Sequence, residues 1–147
     1  AILTILKQLD INFTGKHAVI VGRSNILGKP VAKLMLDLDM TVTQCHSKTV
    51  DLQKYTKMAD VLILAAGKKN LINGDMIKEG VILIDAGINE YDGKIYGDCD
   101  FQSAENRCLY ITPVPGGVGP VTTSMVLLNT LEAYKNAIKN TYSKTSQ

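Results

Sequence analysis

The chain has 147 residues, 46% hydrophobic and 20% charged, the size and make-up of one globular domain whose core needs no disulfide or metal staple. Sixteen Lys+Arg against fourteen Asp+Glu leave a formal net charge of +2, too small for an electrostatic footprint on nucleic acid. The longest apolar run, Val61 to Ala66, is far short of the roughly 20 residues that a membrane span needs.

Ile2, Ile5, Leu6 and Leu9 recur at helical spacing, which predicts a short amphipathic helix over 1–9. His17 to Val21 is a strand-like run ending at Gly22. From Lys29 to Leu38, Val31, Leu34, Met35 and Leu38 return to a helical period. Thr41 to Cys45 is β-branched and strand-like, Leu52 to Met58 is helical, and Val61 to Ala65 is a short strand of the fully buried type. A helical turn at Met76 to Lys78 precedes another apolar strand, Val81 to Ile84. Lys94 to Gly97 and Tyr110–Ile111 are further short strands, Val121 to Ile138 is a closing helix, and the nine polar residues Lys139 to Gln147 form a frayed tail.

Strands that are apolar on both faces and alternate with helical segments predict an α/β fold. It is doubly wound and Rossmann-like, a mostly parallel sheet with helices on both faces, in a single domain. In such folds ligands sit outside the carboxyl ends of the strands, and the first strand-to-helix loop faces helix amides that favour a phosphate. Here that loop is Gly22-Arg23-Ser24-Asn25-Ile26-Leu27-Gly28-Lys29-Pro30. The dinucleotide pattern G-x-G-x-x-G fails at Ser24, and the Walker A pattern fails because five residues separate the glycines and Pro30 follows Lys29. A glycine turn that merely packs strand on helix accounts for Gly28 but poorly for Arg23 and Ser24, so the loop is read as nucleotide-binding.

An NAD-specific site places Asp or Glu about 20 residues after the loop, on the ribose 2′-hydroxyl. Thr41 to Thr49 contains no acid and instead offers His46, Ser47 and Lys48. Donors there fit a 2′-phosphate, and Arg23 can close on the same group. Ser47 with Arg23 is therefore read as the phosphate contact, and His46 alone as a strand-end residue facing solvent or capping a helix. No C-x-x-C pair links Cys45, Cys99 and Cys108, and an odd set of thiols predicts a reducing compartment, the cytoplasm or an organelle. No metal-ligand set is assigned.

These segments resemble the methylenetetrahydrofolate dehydrogenase/cyclohydrolase family. The resemblance rests on Val21 to Pro30, Cys45 to Thr49, Ile84-Asp85-Ala86-Gly87-Ile88-Asn89, Gly97-Asp98 and Ile111 to Thr122, in order between about Ile2 and Lys135. It implies a cofactor domain that holds NADP, with Gly22, Arg23 and Ser24 wrapping the cofactor and Arg23 and Ser47 on its 2′-phosphate. It further implies Ile88 beside the nicotinamide ribose, and Pro115, Gly116, Gly117, Val118 and Gly119 at the cleft for the tetrahydrofolate substrate. The reaction it implies oxidises methylene-tetrahydrofolate to the methenyl form and hydrolyses that to formyl-tetrahydrofolate.

The family's catalytic lysine follows a tyrosine by four residues in an N-terminal folate domain, and this chain contains no Y-x-x-x-K. No catalytic residue is therefore assigned, and the isolated chain is expected to be inactive. The chain also opens on Ala1 and enters directly into a helix-like stretch, which predicts that something preceded it; the resemblance implies that this is the folate domain, with residues 1–10 near the boundary. The resemblance implies a homodimer for the intact enzyme. Two other readings are a short-chain dehydrogenase, opposed by the missing Y-x-x-x-K and by Ser24, and a non-catalytic nucleotide-binding or scaffold module.

Overall fold

The computed structural model describes residues 1–144. The chain opens on helix α1 (Ile2–Lys7) and enters strand β1 (His17–Val21), helix α2 (Gly28–Leu36) and strand β2 (Thr41–Cys45). Helix α3 (Leu52–Thr56), strand β3 (Val61–Leu64), a 3₁₀ turn (Gly74–Met76) and strand β4 (Val81–Asp85) follow. Then come strands β5 (Asn89–Tyr91) and β6 (Lys94–Tyr96), helix α4 (Phe101–Ala104), a 3₁₀ turn (Glu105–Arg107), strand β7 (Cys108–Ile111) and helix α5 (Val118–Lys144).

Five strands form one parallel sheet in the order β2-β1-β3-β4-β7. The chain starts in the interior at β1, winds out to β2, and crosses back to β3, so the winding direction reverses between β1 and β3. A crevice at the carboxyl ends of the strands opens at such a reversal. Side chains alternate across a strand, and the core divides accordingly. Ala18, Ile20, Val61, Ile63, Ile82 and Ile84 face α1 and α2, where Leu6, Val31 and Met35 are buried. Val19, Val21, Leu62, Leu64, Val81 and Leu83 face the other side, where Leu52 and Tyr55 of α3, Ile77 and Ala104 pack. The doubly wound expectation is met, with strand bounds within a residue or two of those read from the sequence.

Four local readings need correction. Asn73 accepts the N–H of Asp75 on its side chain, so the 3₁₀ turn begins at Gly74 and ends at Met76, two residues before the predicted end. The predicted strand Lys94 to Gly97 is one arm of an antiparallel ribbon in which Tyr91 pairs with Lys94. Asp92 and Gly93, with φ of 52° and 70°, form the tight turn between its arms. The long last helix does not close over the sheet: Val126, Leu127, Leu128, Leu131 and Tyr134 are all exposed, and α5 touches α1, where Thr4 meets Met125. Nor is 139–144 a frayed tail. No Gly or Pro follows Pro120 to break α5, and it runs on to Lys144, while the rest of that expected tail, 145–147, lies outside the described residues.

Candidate functional site: a phosphate loop beside an apolar cleft

Val21 and Cys45 are partners across β1 and β2. The loop residues Arg23 and Ser47 thus each lie two positions beyond a paired strand end, on the same edge of the sheet, and both are exposed. The seam is tied by the Gly22 N–H donating to Cys45 O (2.9 Å) and by Gln44 Nε2 donating to Gly22 O (3.0 Å). Beyond β2, Thr49 N–H donates to His46 O (2.8 Å) and His46 N–H to Thr49 Oγ1 (2.8 Å). The resulting turn holds Ser47 and Lys48 at its exposed tip. Half-buried His46 accepts the Lys48 N–H on Nδ1 (3.1 Å), so the ring organises the turn.

Gly22 has φ of +138°, and a Cβ there would collide with the carbonyl of Ala65 at the end of β3. Gly28, at the start of α2, packs against the Gly22 carbonyl and the Arg23 nitrogen. The close approaches that the dinucleotide pattern needs are therefore met at Gly22 and Gly28. Ser24 has a different part: its Oγ accepts the N–H groups of Leu27 (3.1 Å) and Gly28 (3.2 Å) and ties down the turn that leads into α2. No hydrogen bond among the described residues engages the N–H groups of Arg23, Ser24, Asn25 or Ile26. An arginine, free amides and a helix N-terminus suit a pyrophosphate, and the glycine cradle leaves room for its approach.

Beside the loop lies an apolar cavity of about 680 Å³. Its walls are Ala1 to Leu3 of the first helix, Ile26, Leu27 and Pro30 of the loop, Asp85 to Ile88 after β4, and Pro113 to Pro120. The predicted residues Ile88, Pro115, Gly116, Gly117, Val118 and Gly119 are thus brought into one cleft, and Arg23, Ser24 and Ser47 lie outside it. Ile26 is 92% exposed and Ile88 72% exposed at this cavity. The Val114–Pro115 bond is cis, and Gly116 has φ of +104°. A Cβ on Gly117 would overlap Pro113 O, so the segment folds tightly on itself. A separate polar hollow of about 650 Å³, between Lys7 to Thr14 and Asp37 to Asp39, lies at the other ends of the strands, where this fold class does not bind ligands.

Two buried carboxylates under the cleft had no assigned role in the sequence. Asp85, 2% exposed, accepts the N–H groups of Gly87 (2.9 Å), Asp98 (3.1 Å) and Cys99 (2.8 Å). Burial pushes its carboxyl above the usual range, the three amides pull it back in part, and the nearby Asp98 charge adds to the rise. Asp98, fully buried, accepts the N–H groups of Ala66 (2.6 Å), Gly67 (3.0 Å) and Lys68 (2.8 Å) and the side-chain amide of Asn89 (2.9 Å). A Cβ on Gly87 would strike the Asp98 carboxylate, and one on Gly97 the Asp85 carboxylate. The pattern Asp85-x-Gly87 with Gly97-Asp98 was the available signal.

Residues 1–138 match the family profile described as tetrahydrofolate dehydrogenase/cyclohydrolase, NAD(P)-binding domain. A curated relative named bifunctional protein FolD, from Caldanaerobacter subterraneus subsp. tengcongensis, is 66% identical over 140 residues, 95% of this chain and 50% of its own length. The crystal structure of the bifunctional enzyme FolD-methylenetetrahydrofolate dehydrogenase/cyclohydrolase from Campylobacter jejuni superimposes with a TM-score of 0.90 at 51% identity, over 92% of this chain and 48% of that one. The Trypanosoma brucei methylenetetrahydrofolate dehydrogenase-cyclohydrolase, solved with NADP cofactor and inhibitor, gives 0.88 at 40% identity, over 93% and 49%. The chain spans about half the length of the relatives it matches. It therefore belongs to the tetrahydrofolate dehydrogenase/cyclohydrolase family, of which it is the NAD(P)-binding domain.

Proposed function

We propose that this chain is the cofactor half of an NADP-dependent methylenetetrahydrofolate dehydrogenase and methenyltetrahydrofolate cyclohydrolase of the cytoplasm, homodimeric when intact. The observation that carries the reading is the placement of Arg23 and Ser47 on one sheet edge, with no acid from Thr41 to Thr49, next to a cleft that joins Ile88 to Pro115–Gly119. NADP+ bound here supplies the hydride acceptor. Arg23 and Ser47 hold the 2′-phosphate, Gly22 and the amides after it take the pyrophosphate, and Ile88 borders the nicotinamide ribose.

The tetrahydrofolate substrate lies along Pro115–Gly119, where glycine backbone permits close contact. An N-terminal folate domain covers the apolar surface of α1, the 113–120 segment and α5. That domain supplies the acid–base group for the water step, and the cleft shown by this chain is one of its two walls. The open apolar face makes the isolated chain prone to self-association.

Calorimetry of the purified chain tests the cofactor reading. NADP+ binds more tightly than NAD+; equal affinities, or a preference for NAD+, contradict the proposal. A scaffold module that has lost its ligand site binds neither.

A further inference from the structure

We propose that Asp98 is a positioning residue that shapes the nicotinamide side of the cofactor site, an inference that rests on the cofactor reading above. The sheet order places the loop after β2, with Ser47, on one side of β1, and the loops after β3 and β4 on the other. A dinucleotide whose 2′-phosphate meets Arg23 and Ser47 therefore runs its other half toward Ala65–Lys68 and Ala86–Asn89. Asp98 is the side chain that grips both of these loops. Its Oδ2 takes the N–H groups of Ala66 and Gly67, and its Oδ1 takes those of Lys68 and the Asn89 side chain.

The grip has a geometric consequence. In a trans peptide the carbonyl points opposite to its N–H, so three successive amides turned inward onto Asp98 turn the carbonyls of Ala65, Ala66 and Gly67 outward. The Ala65 carbonyl occupies the place where Gly22 lacks a Cβ, which joins this loop to the phosphate loop. The carbonyls of Ala66 and Gly67 stand at the strand ends as acceptors for a ligand rich in donors, such as ribose hydroxyls or a carboxamide. On the other side, Asn89 is tied to Asp98 directly after exposed Ile88, and the missing side chain of Gly87 makes room for the carboxylate. One buried side chain thus sets two walls of the same half-site, and it bonds to neither Arg23 nor Ser47.

Asp98→Asn keeps the shape but turns one acceptor oxygen into a donor that faces N–H groups. Calorimetry of the whole chain with NADP+, and separately with adenosine 2′,5′-bisphosphate, which has the 2′-phosphate half and no nicotinamide, reads the effect. Asp98→Asn weakens NADP+ by tenfold or more and the bisphosphate by less than twofold. Asn89→Ala, which releases the Ile88 side and the Asn89 bond to Tyr96 O but keeps the grip of Asp98 on Ala66 to Lys68, weakens NADP+ by a few fold with the bisphosphate again unchanged, and it decides the matter if Asp98→Asn does not fold. Parallel losses for both ligands in the folded variants, or undiminished NADP+ binding, overturn the inference and leave the cofactor reading standing. Failure of the unaltered chain to bind NADP+ overturns both.

Discussion

Ser24 Oγ accepts the Gly28 N–H at 3.2 Å at the entrance to α2, and the Leu27 N–H at 3.1 Å. The residue that breaks the dinucleotide glycine pattern therefore ties down the turn into the helix that the pattern normally introduces. Ser24→Ala leaves those donors without their acceptor and lowers stability by about 1 kcal/mol, read as a lower urea midpoint at an unchanged slope. NADP+ affinity falls with it, because the loop loses its anchor. An unchanged midpoint would mean that these two bonds contribute nothing.

Arg23 is exposed at the end of β1 and has no ion-pair partner among the described residues, so its charge is available to a ligand. A charge-assisted hydrogen bond contributes roughly 1.5–3 kcal/mol. Arg23→Ala accordingly weakens NADP+ by roughly ten- to a hundredfold and NAD+ by far less. Equal losses for the two cofactors would place Arg23 on the pyrophosphate they share.

Much of this arrangement is legible in the residues and some is not. The β-branched residues of Thr41–Cys45 specify an edge strand on which Thr41 and Gln44 stay exposed, the apolar run Val61–Leu64 specifies a strand buried on both faces, and the structure keeps both. The ribbon partner Asn89–Tyr91 was hidden because Glu90 and Tyr91 lie exposed and show no alternation, although Asp92-Gly93 is a strong hairpin signal. Val126, Leu127 and Leu128 on α5 look like core residues in the sequence, and only the fold reveals that they stay exposed among the described residues. For Asp85 and Asp98 the pattern Asp85-x-Gly87 with Gly97-Asp98 marks the glycines that make room for the carboxylates, but not the amides of Ala66 to Lys68 that Asp98 accepts from a distant loop.

Asp60 accepts the His17 N–H on Oδ2 (2.9 Å) and Lys78 Nζ on Oδ1 (2.5 Å). These bonds, that of His17 foremost, hold its carboxyl below the ordinary 3.8. The stability it contributes is complete above that ordinary value and is lost as pH falls through the lower folded value. Asp60→Asn lowers stability at pH 7 by about 1 kcal/mol, and the gap to the parent chain narrows below pH of about 4. Asp85 acts with the opposite sign, its raised carboxyl favouring the fold as pH falls, and is common to both proteins. Urea midpoints across pH check this; a constant gap contradicts it.

Burial pushes the thiols of Cys99 and Cys108 up to about 12 and about 11, and raises that of Cys45 as well. Thiolate is the reactive form. At pH 8 the folded chain therefore reacts with a disulfide reagent far more slowly than the urea-unfolded chain, which titrates all three cysteines. Rapid reaction of the native protein would show that these sites open easily.

In the proposed enzyme the site has two walls, and this domain provides the one that holds the cofactor. Holding two reactants in position is worth roughly 7–11 kcal/mol, and a positioned acid or base contributes about 10²–10⁴ in rate; the chain alone offers neither the second wall nor the family's Y-x-x-x-K. The direct measurement is NADPH formation from methylene-tetrahydrofolate and NADP+, first with this chain and then with a folate domain joined ahead of Ala1. Turnover in the joined protein and none in the chain alone is the expected result, whereas full activity in the isolated chain would contradict the account and place the catalytic groups within these 147 residues.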